Sequence, residues 1–400
     1  MAGTRRRRLR RVGVMAAVLC AAAVQAATPP ALAAPEGRMG GAGAPGSVTG
    51  GYVVTLKDGT AARSAAGRDV AASYGARIGH IYGTVLNGYA VRADARQAGR
   101  LAADPRVASV VQDTRVEPAR TQRNPPSWGL DRIDQRSLPL DTRYTPPETA
   151  GAGVTVYVID TGVRVTHRDF GGRARHGWDF VDHDRTAQDG NGHGTHVAGI
   201  VAGSSYGVAK RARIVSVRVL DDAGTGTTAQ VIAGIDWVTR NADRPAVANL
   251  SLGGSYNAQL NAAVRASIAA GVTYTVAAGN EGRQAALYSP AGVRQAVTVG
   301  ATGRQDKKPA FSNYGPAVDL FAPGVSVTSA SAAGDTARVT RSGTSMASPH
   351  VAGAAALYLA GHRRATPAQV AKVLVAGAAR GKVSGRGPGS PNRLLQVPRP

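Results

Sequence analysis

A carboxylate, an imidazole and a hydroxyl stand in this chain at positions where their neighbours prepare each for chemistry. In Val158-Ile159-Asp160-Thr161-Gly162, Asp160 closes an apolar run before a glycine turn, where a strand would deliver it to the rim of a sheet. In Asn191-Gly192-His193-Gly194-Thr195-His196-Val197-Ala198-Gly199, glycines on both sides free the His193 ring to approach partners, and the small residues behind allow tight helix packing. In Ser342-Gly343-Thr344-Ser345-Met346-Ala347-Ser348-Pro349-His350, Ser345 falls at a helix start, where unpaired backbone N–H groups can meet a developing negative charge. Pro349 is assigned to the first turn, which needs no amide donor from it. A serine hydroxyl attacks only when a base takes its proton, and a carboxylate must hold that base in the right tautomer. Asp160, His193 and Ser345 together spell acyl transfer.

Competing readings of the same residues are weaker. His193 and His196 stand three apart, which is not the HExxH spacing of a metal pair, and no acid supports them. His196 reads instead as a helix histidine bonded inside the fold. Ala347 occupies the second glycine position of G-x-S-x-G, so the nucleophile elbow of α/β hydrolases is excluded.

The elements that must carry these groups alternate. Val154–Ile159, Ile214–Leu220, Ala246–Leu250, Val272–Ala277 and Val297–Val299 read as buried strands of a parallel sheet. Gly194–Ala202, Ala229–Thr239, Ala258–Ala269, Ala347–Leu359 and Pro367–Ala376 read as helices between and after them. The pattern argues an α/β fold, a parallel sheet in three layers with helices on both faces. Its reacting groups belong at the carboxyl ends of strands, where the motifs fall.

A second, smaller module precedes it. Gly51–Lys57 reads as a strand ended by the Asp58-Gly59 turn, followed by a helix over 61–74, a strand pair over 78–92, a helix over 94–103 and the strand Val107–Gln112. This β-α-β-β-α-β order predicts a small α+β, split βαβ (ferredoxin-like) domain. Ahead of it, residues 34–50 are rich in Gly, Ala and Pro and read as a linker. Residues 1–33 hold an arginine-rich start, the apolar run Val12–Val24 and small residues at Ala31-Leu32-Ala33. That is the pattern of a cleaved export signal, and no apolar run of about 20 residues suggests a stable membrane anchor. A twin-arginine and a general export route both remain open.

Composition bounds the rest. The 400 residues are 43% hydrophobic and 18% charged, a globular composition. The net charge of +23 divides into +6 over 1–33, +5 over 34–123 and +12 over 124–400. Spread in this way it makes a basic surface and not a nucleic-acid tail, so no nucleic-acid partner is expected. The single cysteine, Cys20, lies in the leader, so no disulfide framework is available.

Asp, His and Ser in that chain order is the order of subtilisin, and the three motifs over 153–162, 191–199 and 342–353 resemble the signatures of the subtilase family. Trp128–Gln135, Phe311–Gly315 and Gly389–Leu395 are similar to the branch that holds proteinase K and aqualysin. Asn87–Val91 and Asp104–Val107 resemble the inhibitor-type propeptide that precedes such enzymes. The resemblance covers roughly residues 50–400. It implies a signal peptide at 1–33, a linker at 34–50, a propeptide inhibitor at 51–118 and a peptidase domain at 119–400. It implies a secreted, self-processing serine endopeptidase, monomeric, masked at synthesis by its own propeptide.

The same resemblance places the oxyanion hole at Asn280 beside the Ser345 N–H. It lays an extended polypeptide between Gly224-Thr225-Gly226 and Ser251-Leu252-Gly253. Small residues at Gly253, Ala277 and Gly279 leave room for an uncharged aromatic or aliphatic P1 side chain, and no acid in these segments asks for a basic one. Calcium is the implied structural cofactor, held by Asp131, Asp134, Gln135 and Asp141, with a second site at Asp319 and the backbone oxygens of Arg294 and Ala296. Surface acids solvated by water are the alternative reading of both sets.

Overall fold

The computed structural model describes residues 39–41, 47–114 and 121–397. The expected signal peptide with Cys20 lies outside these residues. The chain divides into two compact units, Met1–Arg115 and Val116–Pro400.

In the first unit, β1 (Ser47–Leu56), α1 (Ala65–Ala72), β2 (Arg77–Tyr82), β3 (Gly88–Arg92), α2 (Ala95–Ala102) and β4 (Val107–Thr114) follow the expected β-α-β-β-α-β order. Their antiparallel sheet runs β2-β3-β1-β4. Strand alternation turns Tyr52, Val54 and Leu56 of β1 inward, where they meet Val70, Leu101 and Val110. Asp94 caps α2 by accepting from the Gln97 N–H while Gln97 Oε1 accepts from the Asp94 N–H. Two details depart from the linker expected over 34–50. β1 begins at Ser47, and Gly40 bridges to β4 through hydrogen bonds of 3.0 Å with Val110 and Gln112. Glycine and alanine content reads as flexible, yet backbone groups pair whatever their side chains.

The second unit is built on a nine-stranded sheet. Its members are β5 (Thr155–Asp160), β6 (Ala174–Asp179), β7 (Arg213–Arg218), β8 (Ala246–Leu250), β9 (Thr273–Ala277), β10 (Val297–Thr302) and β11 (Leu320–Pro323), completed after a separate hairpin by two short strands. That hairpin is β12 (Val327–Ala330) with β13 (Arg338–Arg341), and the short strands are β14 (Ala379–Arg380) and β15 (Arg393–Leu394). The spatial order is β14-β15-β11-β10-β9-β8-β5-β7-β6, and every pair except β14 with β15 is parallel. Strand order therefore reverses beside β5: the chain first goes to the edge strand β6, returns to insert β7 between β5 and β6, then crosses to β8 on the other side. The crevice at such a reversal, outside the carboxyl ends of the strands, is where open α/β sheets bind ligands.

Helices cover both faces. α3 (Trp128–Ile133), α4 (His193–Ala202), α7 (Thr344–Gly361) and α8 (Pro367–Gly377) join one core with Val156, Val158, Val247 and Val299. On the other face, α5 (Thr228–Asn241) and α6 (Ala258–Ala269) pack on Tyr157, Ile159, Val217 and Val276. α7 is buried nearly all round because alanine and glycine let it lie directly on the sheet. At Gly353 a β-carbon would fall 2.5 Å from Val208, in the turn after α4, so the approach of α7 to that turn requires the glycine.

Candidate active site

Asp160 ends β5 at the reversal and is fully buried. Its Oδ1 accepts the Thr161 N–H at 2.8 Å and meets His193 Nδ1 at 2.6 Å. An ionised carboxylate only accepts, so Nδ1 carries the proton and Nε2 is left as a base. Burial disfavours the charged ring, but the Asp160 charge and hydrogen bond favour it, and the balance lifts the His193 pKa above the ordinary histidine value. The Arg341 charge works against that rise, and the Asp189 charge adds to it.

Asp189 was not foreseen from sequence. Its Oδ1 accepts from Thr161 Oγ1 (2.8 Å), Asn191 N (3.0 Å) and Gly192 N (2.7 Å), and its Oδ2 from Thr195 N (2.8 Å) and Oγ1 (2.5 Å). One buried carboxylate thus takes the Gly192 and Thr195 N–H groups at the start of α4. Asn191 Oδ1 takes that of His193 and Thr161 Oγ1 that of Gly194, which ties the helix start to the residue after Asp160. The loop closes tightly enough that a β-carbon at Gly194 would lie 2.0 Å from the Gly162 carbonyl oxygen. His196 is the internally bonded histidine expected: fully buried, its Nε2 lies 3.0 Å from the Val327 carbonyl oxygen, and burial with the Arg341 charge pushes its pKa down to about 3.

Ser345 is the second residue of α7, which begins at Thr344, three residues before the expected Ala347. Pro349 is therefore not in the first turn, as the sequence suggested, but sixth in the helix. It has no N–H to offer the Ser345 carbonyl, and the Ser251 hydroxyl donates to that oxygen instead, at 2.8 Å. In return the Ser345 hydroxyl donates to the Ser251 carbonyl at 3.0 Å. Below them Asn249 donates to Ser251 Oγ at 2.9 Å and accepts from Ser348 (2.8 Å) and Thr275 (3.1 Å) hydroxyls. The polar Asn249 inside the apolar run Ala246–Leu250 was the available signal for this network, and it passed unread.

Asn280 follows the end of β9. Its Oδ1 accepts from Thr344 N at 2.8 Å and Thr344 Oγ1 at 3.0 Å, so its amide nitrogen is the end left for a ligand. Gly224, Thr225, Gly226, Ser251, Leu252 and Gly253 line one open groove with His193, Asn280 and Ser345. Ala277 and Gly279 line an adjoining inner pocket that shares Asn280 and Ser345. That pocket also holds Glu281, whose Oε2 accepts from Asn313 Nδ2 at 2.8 Å. Glu281 stands next to the expected Asn280 and was not read as part of the site.

Asp131 of α3 and the acids that follow it share the backbone of residues 141–145. Asp131 accepts from the N–H groups of Asp141 (3.2 Å) and Thr142 (2.9 Å), Gln135 Oε1 from Asp141 N (3.1 Å), and Asp134 Oδ2 from Thr145 N (2.8 Å). Asp134 Oδ1 is buried without a partner. Burial, with the nearby Asp141 and Asp131 charges, pushes Asp134 up to about 6. Arg132 gives these acids no relief, because its guanidinium pairs with Asp306 at 2.7 and 2.9 Å. Asp319 precedes β11 and accepts from Thr298 N at 2.8 Å; burial pushes it up to about 6. The Asp319 N–H donates to the Thr298 carbonyl at 2.9 Å, which sets it beside the start of β10, just after Arg294 and Ala296. Among the described residues no group of three His, Cys, Asp or Glu side chains is gathered to hold a metal.

A parallel sheet with a buried aspartate–histidine pair and a serine at its reversal point defines a class. The profile of the Subtilase family matches residues 151–394, and that of Peptidase inhibitor I9 matches residues 51–119. The chain belongs to the subtilase family and is a subtilisin-like serine peptidase with an inhibitor-type propeptide. It is 52% identical to the extracellular serine proteinase of a Thermus species over 324 residues, 81% of this chain and 78% of that relative. With the cuticle-degrading serine protease of Arthrobotrys oligospora it shares 42% identity over 386 residues, 91% of this chain and 94% of the relative. The crystal structure of a cold adapted subtilisin-like serine proteinase superposes with a TM-score of 0.67 at 52% identity, covering 68% of this chain and 98% of that one.

Proposed function

We propose that the protein is a secreted serine endopeptidase, made as a self-processing zymogen, that cleaves extended polypeptides through Asp160, His193 and Ser345. The observation that carries this reading is the 2.6 Å contact of His193 Nδ1 with buried Asp160 beside the groove that Ser345 lines. Rotation of the Ser345 hydroxyl away from the Ser251 carbonyl presents it to His193 Nε2; such bonds are commonly loose before substrate arrives. His193 takes the proton as Oγ attacks the scissile carbonyl, then returns it to the leaving amine, and water repeats the cycle on the acyl-enzyme. Asp160 holds the tautomer and stabilises the imidazolium. The Asn280 amide and the Ser345 N–H at the start of α7 meet the oxyanion; one such donor is worth about 10²–10³ in turnover.

Substrate adds as a strand between 224–226 and 251–253, with P1 in the pocket lined by Gly253, Ala277 and Gly279. Those small residues support an apolar or aromatic P1 and broad specificity. Glu281 at the same pocket extends the range to basic side chains, because its carboxylate is available to a cation there. Residues 51–118 act as the intramolecular inhibitor, a reading supported by the I9 match. Secretion is supported by the arginine-rich, apolar leader and by relatives named as extracellular.

Calcium is supported at α3 and the turn after it by hard-oxygen donors and by the orphaned Asp134 Oδ1, which lacks a counter-charge. The three carboxylates would have to draw closer than they stand to share one ion. Asp131, Asp134, Gln135 and Asp141 would hold it, and it would fix the turn without entering the chemistry. Asp319, with the backbone oxygens of Arg294 and Ala296, offers a second site of one carboxylate and two carbonyls. The test of the proposed function is Ser345→Ala against wild type, for self-processing and for peptide hydrolysis.

A further inference from the structure

The two grooves account for the acyl half of a substrate. Neither is lined by Arg341, yet Arg341 stands four residues before Ser345 at the end of β13. The β12–β13 hairpin is fastened behind the triad. His196 Nε2 donates toward the carbonyls of Val327 (3.0 Å) and Val339 (3.2 Å), and Ser329 Oγ donates to the His196 carbonyl at 2.8 Å. Arg341 pairs with Val327 in that hairpin, so the same anchoring fixes its backbone. Its guanidinium reaches Gly192, the residue before His193: a β-carbon there would sit 3.3 Å from Arg341 Nη2.

Among the described residues Arg341 has no ion-pair partner. Its Nε is buried without a hydrogen-bond partner. The neighbouring acids are engaged elsewhere. Asp160 holds His193, Asp189 holds the start of α4, and Asp335 pairs with Arg164 at 2.7 Å. A half-buried guanidinium with one dry nitrogen invites an anion, since arginine binds carboxylates through two parallel N–H bonds.

Geometry decides which part of a substrate brings that anion. The acyl half lies along 224–226 and 251–253, in the groove that His193 and Ser345 also line and Arg341 does not. His193 must pass its proton to the leaving amine, so the leaving peptide runs beside His193 and Gly192, the flank that Arg341 covers. Resting on the proposed peptidase reading, we infer that Arg341 is a specificity residue for the leaving half, selecting substrates with Asp or Glu as the first residue after the scissile bond.

Acyl transfer tests this directly. The peptidase obtained from the full-length chain is acylated by one peptide ester, and the acyl-enzyme is partitioned between water and aspartyl-, alanyl- or lysyl-amide. Wild type should favour the aspartyl over the lysyl amide by about five- to tenfold at low salt, falling as salt screens the pair. Arg341→Gln should bring that ratio to within about twofold of unity, and Arg341→Glu should invert it. An aspartyl-to-lysyl ratio that is the same in wild type and both variants, with the ester still turned over, overturns the assignment of Arg341 alone. Failure of wild type to form any acyl-enzyme overturns it together with the peptidase reading.

Discussion

Ser251 and Ser345 hold each other by reciprocal hydrogen bonds, the hydroxyl of each donating to the carbonyl of the other at 2.8 and 3.0 Å. The pairing exists because Pro349 cannot give the Ser345 carbonyl its helical N–H, and β8 ends where Ser251 can. It couples the edge that binds substrate to the residue that attacks it. Ser251→Ala should lower stability by about 1–3 kcal/mol, the cost of a buried acceptor left alone, and reduce kcat more than it raises KM. Pro349→Ala restores an N–H at the right place, so the double variant should recover part of the loss. Denaturant unfolding and peptide kinetics over the four-member cycle check this; simple additivity would refute the coupling.

The inner pocket carries an acid, Glu281, among small residues. Glu281→Gln should lower kcat/KM for substrates with P1 Lys or Arg by about three- to tenfold and leave P1 Phe nearly unchanged. A matched pair of anilide substrates reads the ratio. Equal effects on both would assign Glu281 to holding Asn313 alone.

Two buried histidines make stability depend on pH. Burial holds His350 at about 4, and burial with the Arg341 charge holds His196 at about 3, against 6.5 for an unperturbed ring. Between those values the unfolded chain binds protons that the folded one refuses. Their contribution is therefore complete above pH 6.5 and is lost as pH falls toward 4, at about 1.4 kcal/mol per pH unit for each proton. Asp134 and Asp319, raised to about 6, bind protons in the folded chain over the same range and oppose this slope, so the histidine contribution is read as a difference. Adding His350→Gln to Ser345→Ala should make urea unfolding between pH 7 and 4.5 more acid-tolerant by about 1.4 kcal/mol per pH unit. A pH profile that His350→Gln leaves unchanged would contradict the burial of that ring.

Chelation should reveal the cation at the turn after α3. With calcium at about one hundred times its Kd, bound metal adds about 2.7 kcal/mol, so EDTA should lower Tm by several degrees. Asp134→Asn should shrink the EDTA shift, leaving only the part that belongs to the second site at Asp319. A wild-type Tm that ignores EDTA would leave those acids as surface groups.

What the sequence revealed followed from how locally each feature is encoded. Apolar runs ending in Asp160, Leu250 and Ala277 mark strands buried on both faces, and they were found within a residue or two. β6 was missed because Ala174–Asp179 is an edge strand of mixed polarity, Ala-Arg-His-Gly-Trp-Asp, with no apolar run to announce it. The β12–β13 hairpin was missed because its exposed strand alternates Arg and Thr with a single Val. The start of α7 was placed late because Ser-Gly-Thr-Ser reads as a loop, whereas Gly343 caps a helix that already includes Ser345. Asp160, His193 and Ser345 were legible from their flanking residues. Asn249 was not, because Ser348 and Thr275 lie far along the chain. Nor was Asp189, because Asp-Gly-Asn-Gly reads as an exposed turn although its carboxylate is buried under α4.

The measurement closest to the central claim compares the full-length chain with Ser345→Ala under identical expression. Wild type should be trimmed between residues 117 and 124, release a peptide anilide and lose that activity to a serine-directed phosphonate. Ser345→Ala should remain uncut and inactive while still unfolding in one cooperative transition. Trimming and hydrolysis by Ser345→Ala, in a host lacking other peptidases, would contradict the account.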